Sequence, residues 1–210
     1  MHIKEIWTSS DSSVWEKALA RYWDFVKPSL HDLEVELENL DLQTIRLLSP
    51  KGWYDFLHDK YFPWKYTAAN RLATTRARLE KCTSPEDLAG LDETRQSLLI
   101  LDPNDTLKAI QAAGRIPGLG VAGASGLLAI LYPNSFAVVD QFVVKALLDV
   151  GTLPEHPQLQ KMNPEGLKNA DAVLLTDILR RKAQQLNATL NTSSWTARKL
   201  DKALWTFGRT

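Results

Sequence analysis

Apolar residues recur at helical spacing along nearly all of this 210-residue chain, and no run alternates beyond the four residues "FAVV". That pattern selects an all-α fold and excludes a sheet-built core. The spacing predicts helices over 14–26, around Leu33, Leu37 and Leu40, and over 50–61, 67–81, 85–98, 103–113, 121–131, 141–150, 170–186 and 195–207. Ser49-Pro50, Ser84-Pro85 and Asp102-Pro103 each put a capping side chain before a proline suited to the first helical position. Gly114 and Pro133 read as stops. The stretch 151–166, with three prolines and two glycines, reads as a loop that leads to the last helices.

Lys+Arg 25 balance Asp+Glu 25, so contact with a polyanion has to come from a local patch. Residues 31–41 hold Asp32, Glu34, Glu36, Glu38 and Asp41, whereas 60–81 hold Lys60, Lys65, Arg71, Arg76, Arg78 and Lys81 against Glu80. More cations follow in Arg180, Arg181, Lys182, Arg198, Lys199, Lys202 and Arg209. These are either ordinary solvated helix faces or, if folding joins them, a cleft for a phosphate backbone. The single cysteine, Cys82, leaves no internal disulfide, Cys-ligated zinc site or iron-sulfur cluster. His58 and His156 have no partner at metal-ligand spacing, so neither metal nor cofactor is expected. With no signal-like start and no membrane-length apolar run, the expectation is a cytoplasmic monomer without a membrane partner.

Residues 116–140, "IPGLGVAGASGLLAILYPNSFAVVD", carry one charge, on the last residue. With "AIQAAGR" before them they read as helix, tight turn, helix. Gly118 and Gly120 permit backbone angles that other residues avoid, and Leu119 between them can plug inward. The second helix then starts with unpaired N–H groups aimed at the turn, an arrangement that binds a phosphate without a cation. Its small residues, Ala122 to Gly126, let the two helices of the hairpin pack closely.

"RIPGLG" followed by "VAGASGLLAI" resembles the helix-hairpin-helix motif that docks on DNA backbone. "SFAVVD" followed by "QFVVKALLD" is similar to the glycine-proline-aspartate loop of the helix-hairpin-helix DNA glycosylase superfamily. The likeness spans about residues 104–148. It implies a two-lobed helical fold with a cleft: 103–148 would form the hairpin and catalytic loop, and 1–30 would pack with 151–210 as the second lobe. DNA would be the partner. Gly118, Gly120 and Lys145, which stands where relatives often have arginine, would meet phosphates, and Asp140 falls at the catalytic aspartate. A carboxylate there suits N-glycosidic cleavage, because positive charge develops on the sugar and a nearby carboxylate stabilises it or activates water. Asp140 can also be read as a helix N-cap, and the two roles are compatible, with the hairpin just upstream favouring the catalytic one. Ala122 stands where bifunctional relatives carry a Schiff-base lysine, which implies a monofunctional hydrolase that leaves an abasic site.

An enzyme acting on a base must take it out of the stack and hold it among aromatic and polar groups. The reader is expected in residues 52–78, with Trp53, Tyr54, Trp64, Lys65 and Tyr66 at the pocket and Arg71 and Arg78 toward DNA. "YFPWKYTAANRLATTR" and "RKLDKALWTFG" resemble a small, cysteine-poor prokaryotic branch that includes anti-phage glycosylases. The substrate that follows is a hypermodified phage pyrimidine, such as glucosylated hydroxymethylcytosine, or an oxidised or alkylated base in repair. A non-catalytic helix-hairpin-helix DNA-binding module is the alternative.

Overall fold

A computed structural model describes residues 2–209, which are helical with no strand among them. In chain order the α-helices are α1 (Ile3–Thr8), α2 (Ser12–Ala20), α3 (His31–Glu38), α4 (Leu42–Arg46), α5 (Pro50–Asp55), α6 (Phe62–Lys65), α7 (Ala69–Leu79) and α8 (Pro85–Leu99). They continue as α9 (Thr106–Ala113), α10 (Val121–Leu131), α11 (Gln141–Val150), α12 (His156–Leu159), α13 (Asn169–Leu190) and α14 (Ala197–Gly208). Tighter 3-10 turns occupy Arg21–Phe25 and Pro28–Leu30.

Two of the three expected caps form. Ser49 accepts the Gly52 N–H at 3.0 Å, and Ser84 accepts that of Asp87 at 3.1 Å while Asp87 returns to the Ser84 N–H. Asp102 does not start α9. Its carboxylate takes the nearer Asn104 N–H at 2.9 Å and closes a turn, and Asp105 caps the helix through the Lys108 N–H at 3.1 Å. The expected stop at Tyr61 is a continuation. Pro63 has no N–H for the Asp59 carbonyl four residues back, and a π-helical turn over Phe56–Tyr61 absorbs the mismatch so that α6 carries on to Lys65.

The core runs through α10, which is buried from Gly123 to Leu131. α9 lies on one side of it, and its glycines receive side chains from the other. A Cβ on Gly126 would stand 2.8 Å from the Tyr61 hydroxyl and 3.1 Å from Lys65 Cδ, and one on Gly123 would overlap the Tyr66 hydroxyl. Tyr61 donates its hydroxyl to the Gly123 carbonyl. The small residues of the hairpin helix therefore make room for Tyr61, Lys65 and Tyr66, a use the expected hairpin packing does not include.

α14 lies between α11 and α13 and also meets α2 and the 21–25 turn. The "FAVV" segment threads this region without a strand partner. Two of its buried N–H groups bond to side chains, Val138 to Asp201 at 2.6 Å and Val139 to Ser125 at 3.1 Å, and that of Phe136 bonds back to the Tyr132 carbonyl at 2.9 Å.

The hairpin turn has one position that only glycine suits. Gly118 has φ +94°, and a Cβ there would meet the Thr75 carbonyl oxygen at 2.9 Å, so Gly118→Ala is expected to cost at least about 1–2 kcal/mol in urea unfolding. Gly120 has φ −88° and open space around its Cα, so Gly120→Ala should stay within about 0.5 kcal/mol of the parent protein.

Candidate active site and nucleic-acid interface

Asp140 caps α11 with one oxygen and turns the other toward Lys65. Oδ1 accepts the N–H groups of Phe142 at 2.9 Å and Val143 at 3.3 Å. Oδ2 faces the Lys65 ammonium at 3.8 Å, with 17% of the Asp140 side chain and 10% of the Lys65 side chain exposed. The cap and the ion pair thus draw on different oxygens of one carboxylate. Burial pulls the Lys65 pKa down from its ordinary 10.5, opposed by the charges of Asp140 and Asp201. Ala122 extends no amine from the hairpin helix, so the amine paired with Asp140 comes from α6.

Asp140 lies where two hollows meet. The first is an open cleft of about 650 Å³ between α7, the hairpin and the loop 164–167. Arg71, Thr74 and Arg78 line it from α7, and Gly118, Gly120 and Val121 line it from the hairpin. No side chain caps α10, whose N-cap is Gly120, so its first-turn N–H groups stay available at the cleft. Leu119 turns inward and is buried. Four residues expected at phosphates, Gly118, Gly120, Arg71 and Arg78, therefore share one cleft with Asp140. Lys145 does not join them. It lies five residues along α11, about 140° around the helix from Asp140, and extends from the exposed face with its ammonium 5.8 Å from the Phe142 ring centre.

The second hollow is a chamber of about 390 Å³ walled by aromatic rings, among them Tyr22, Phe25, Tyr66, Phe142 and Trp205. Tyr66, Arg71, Ala122, Asp140 and Gln141 border both hollows. Trp205 is half-buried and packs edge-on against Phe25 at 6.0 Å and Phe142 at 5.8 Å, with the Arg209 guanidinium 4.7 Å from its centroid. Burial pushes the Tyr66 hydroxyl up to about 12, with Arg71 and Arg78 opposing, so it remains a neutral donor.

Of the expected base-pocket residues, Trp64, Lys65 and Tyr66 line this chamber. Trp53 and Tyr54 do not. Trp53 is fully buried and stacked on Phe56 at 5.4 Å, because α5 packs that face against α8. Tyr54 stacks on His58 with Lys51 over its ring, also before the π-helical turn that redirects the chain. Tyr22, Phe25 and Trp205 were not foreseen as pocket residues. They come from opposite ends of the chain, and only the packing of α14 on the 21–25 turn brings them together.

Beneath Asp140 lies a second carboxylate. Asp201 is 2% exposed and accepts from Arg198 at 2.5 Å as well as from Val138. Among the described residues no cluster of His, Cys, Asp and Glu could hold a metal ion, and no helix is long and apolar enough to cross a membrane. No family model, curated protein or solved structure matches the chain.

Burial pushes Asp201 from its ordinary 3.8 up to about 7, against the pull of Arg198, the Val138 N–H and Lys65 and with the repulsion of Asp140. A raised carboxyl pKa means that the folded state holds the proton more tightly than the unfolded chain. Its stabilising contribution is full below pH 3.8 and is lost as pH rises to about 7. Denaturant unfolding across that window should show this decline in the parent protein, and Asp201→Asn should flatten it.

Proposed function

We propose that the protein is a DNA glycosylase of the helix-hairpin-helix, glycine-proline-aspartate type, with the cleft and the aromatic chamber lying between its two lobes. The observation that carries this reading is the position of Asp140, at the junction of an aromatic chamber and a cleft lined by Arg71, Arg78 and the start of α10. Arg71, Arg78 and the free N–H groups of α10 suit consecutive phosphates of a DNA strand. A nucleotide held there and rotated out of the stack would put its base among Tyr22, Tyr66, Phe142 and Trp205 and its sugar beside Asp140.

In this reading Oδ2 of Asp140 stabilises the cationic sugar as the N-glycosidic bond breaks, or takes the proton of the attacking water. Lys65 serves as a fixed cation that holds the carboxylate in place. Ala122 gives the hairpin helix no nucleophile, so the reaction is hydrolysis, and the product is an abasic strand with its backbone intact.

The size of the chamber bears on the substrate. An apolar cavity of about 150 Å³ is enough to hold benzene, and the chamber, at about 390 Å³, has more than twice that volume. That room admits a base with a bulky substituent, such as a hypermodified pyrimidine of phage DNA, and equally an oxidised or alkylated base together with part of its sugar, so both substrate classes belong in the test.

The test is mass spectrometry of bases released from a panel of phage-modified and damaged DNAs. The parent protein should release a modified base, while Asp140→Asn should release none and keep its DNA affinity. An active Asp140→Asn protein would sink the assignment, and binding without release from every DNA would leave only a DNA-binding module. Borohydride should trap no covalent adduct, and an adduct that disappears in Lys65→Ala would make Lys65 a nucleophile instead.

A further inference from the structure

The Lys65–Asp140 pair joins two elements that share no backbone hydrogen bond, and its separation has to be set by something beneath it. Arg198 lies there, 7% exposed, with its guanidinium fork divided between two carboxylates. Nη1 donates to Asp201 Oδ1 at 2.5 Å and Nη2 to Glu34 Oε1 at 3.1 Å, an oxygen that the Lys202 ammonium also reaches at 3.3 Å without touching Asp201. The other oxygen of Asp201 accepts the Val138 N–H at 2.6 Å, two residues before Asp140. The other oxygen of Glu34 accepts the Trp64 indole N–H at 2.5 Å, one residue before Lys65. The Arg198 backbone N–H also bonds to the Pro133 carbonyl at 3.1 Å, at the start of the extended segment.

The chain of contacts thus runs from Asp140 through Val138 and Asp201 to one guanidinium, then through Glu34 and Trp64 to Lys65. Stability alone does not call for such an arrangement. A buried ionic trio is commonly matched or exceeded by apolar residues of the same volume, because desolvation offsets much of the attraction. What the trio adds is direction: a planar fork binds two carboxylates at fixed angles, and each carboxylate spends its second oxygen on one side of the site.

We propose that Arg198, through Asp201 and Glu34, is a positioning residue that sets the distance and angle between Lys65 and Asp140. This rests on the glycosylase reading for its consequence in the reaction, but its geometric content stands apart from that reading.

Arg198→Lys keeps the charge and loses the fork, so one ammonium cannot hold both carboxylates in their present directions. The expected result is a fall in kcat for base release of about 100-fold, the scale of a small misplacement at the reacting atoms, with KM and DNA affinity changed less than about threefold. The control is Arg95→Lys, an equally buried guanidinium bound to the Ile45 and Leu48 carbonyls and paired with Asp92, remote from the site. It should lower the melting temperature and leave kcat intact. If Arg198→Lys does not accumulate as folded protein, Asp201→Asn frees the Val138 side alone, and the same loss of kcat is expected.

A crystal structure of the Arg198→Lys or Asp201→Asn variant gives a readout without DNA. The Lys65 Nζ to Asp140 Oδ2 distance should depart from 3.8 Å. An unchanged distance, or a kcat that falls only with the folded fraction, overturns the proposal. Should the parent protein release no base from any DNA, the glycosylase reading fails, and the crystallographic distance still decides the role of Arg198.

Discussion

The contact on which the site depends is the seating of Tyr61, Lys65 and Tyr66 on the glycine face of α10. That helix is buried from Gly123 onward, and a side chain at Gly123 or Gly126 would occupy the space of a tyrosine hydroxyl. Mid-helix glycine costs about 1 kcal/mol relative to alanine, and two of them stand within four residues. The return is structural: the Lys65 stem crosses α10 at contact distance and delivers an ammonium to the far end of the extended segment, where Asp140 begins the next helix. The π-helical turn ahead of α6 belongs to the same device. Without the extra residue it takes up, helical continuation past Pro63 would leave a clash and an unpaired carbonyl, and Trp64, Lys65 and Tyr66 would point elsewhere.

Much of this was legible in the residues themselves. Helical spacing gives the all-α class, Ser-Pro pairs give two helix starts, and the "PGLG" turn gives the hairpin with Leu119 inward and positive φ at Gly118. Arg71, Thr74 and Arg78 on one face of α7 follow from the period of 3.6 residues, and they do share a wall of the cleft. What periodicity cannot supply is the identity of a face's neighbour. Trp53 and Trp64 are both tryptophans in one helical run, yet Trp53 packs inside the core and Trp64 borders the chamber, because a π-helical turn between them shifts the register. Tyr22, Phe25 and Trp205 were illegible for a related reason: their convergence is a tertiary contact between the two ends of the chain.

Asp140 also shows how one carboxylate can cap a helix and still face a second partner. A carboxylate has two oxygens, and the first turn of α11 takes only one of them, so the helix orients the group while the second oxygen looks into the hollow. A serine or threonine cap would fix the helix as well and leave no second oxygen. The nearly charge-free stretch ahead of it has the same logic. Residues 136–139 are buried and pair with no strand, so the Val138 and Val139 N–H groups rely on Asp201 and Ser125, and those bonds locate the next residue more firmly than a solvated loop would.

Buried charge is the remaining cost. Glu34, Arg198, Asp201 and Lys202 are all nearly inaccessible, and each would be expensive to leave unpaired. They are paired with one another, Lys202 also with Glu38, and the rings of Tyr22 and Trp64 lie within cation–π distance of Arg198. Such a cluster tolerates little rearrangement, since any shift strands a charge in a low-dielectric interior. A site assembled on it inherits that stiffness. The aromatic rings and the Lys65–Asp140 pair above are held against a floor that cannot relax by small steps, and a floor of leucines, free to repack, would hold them less firmly.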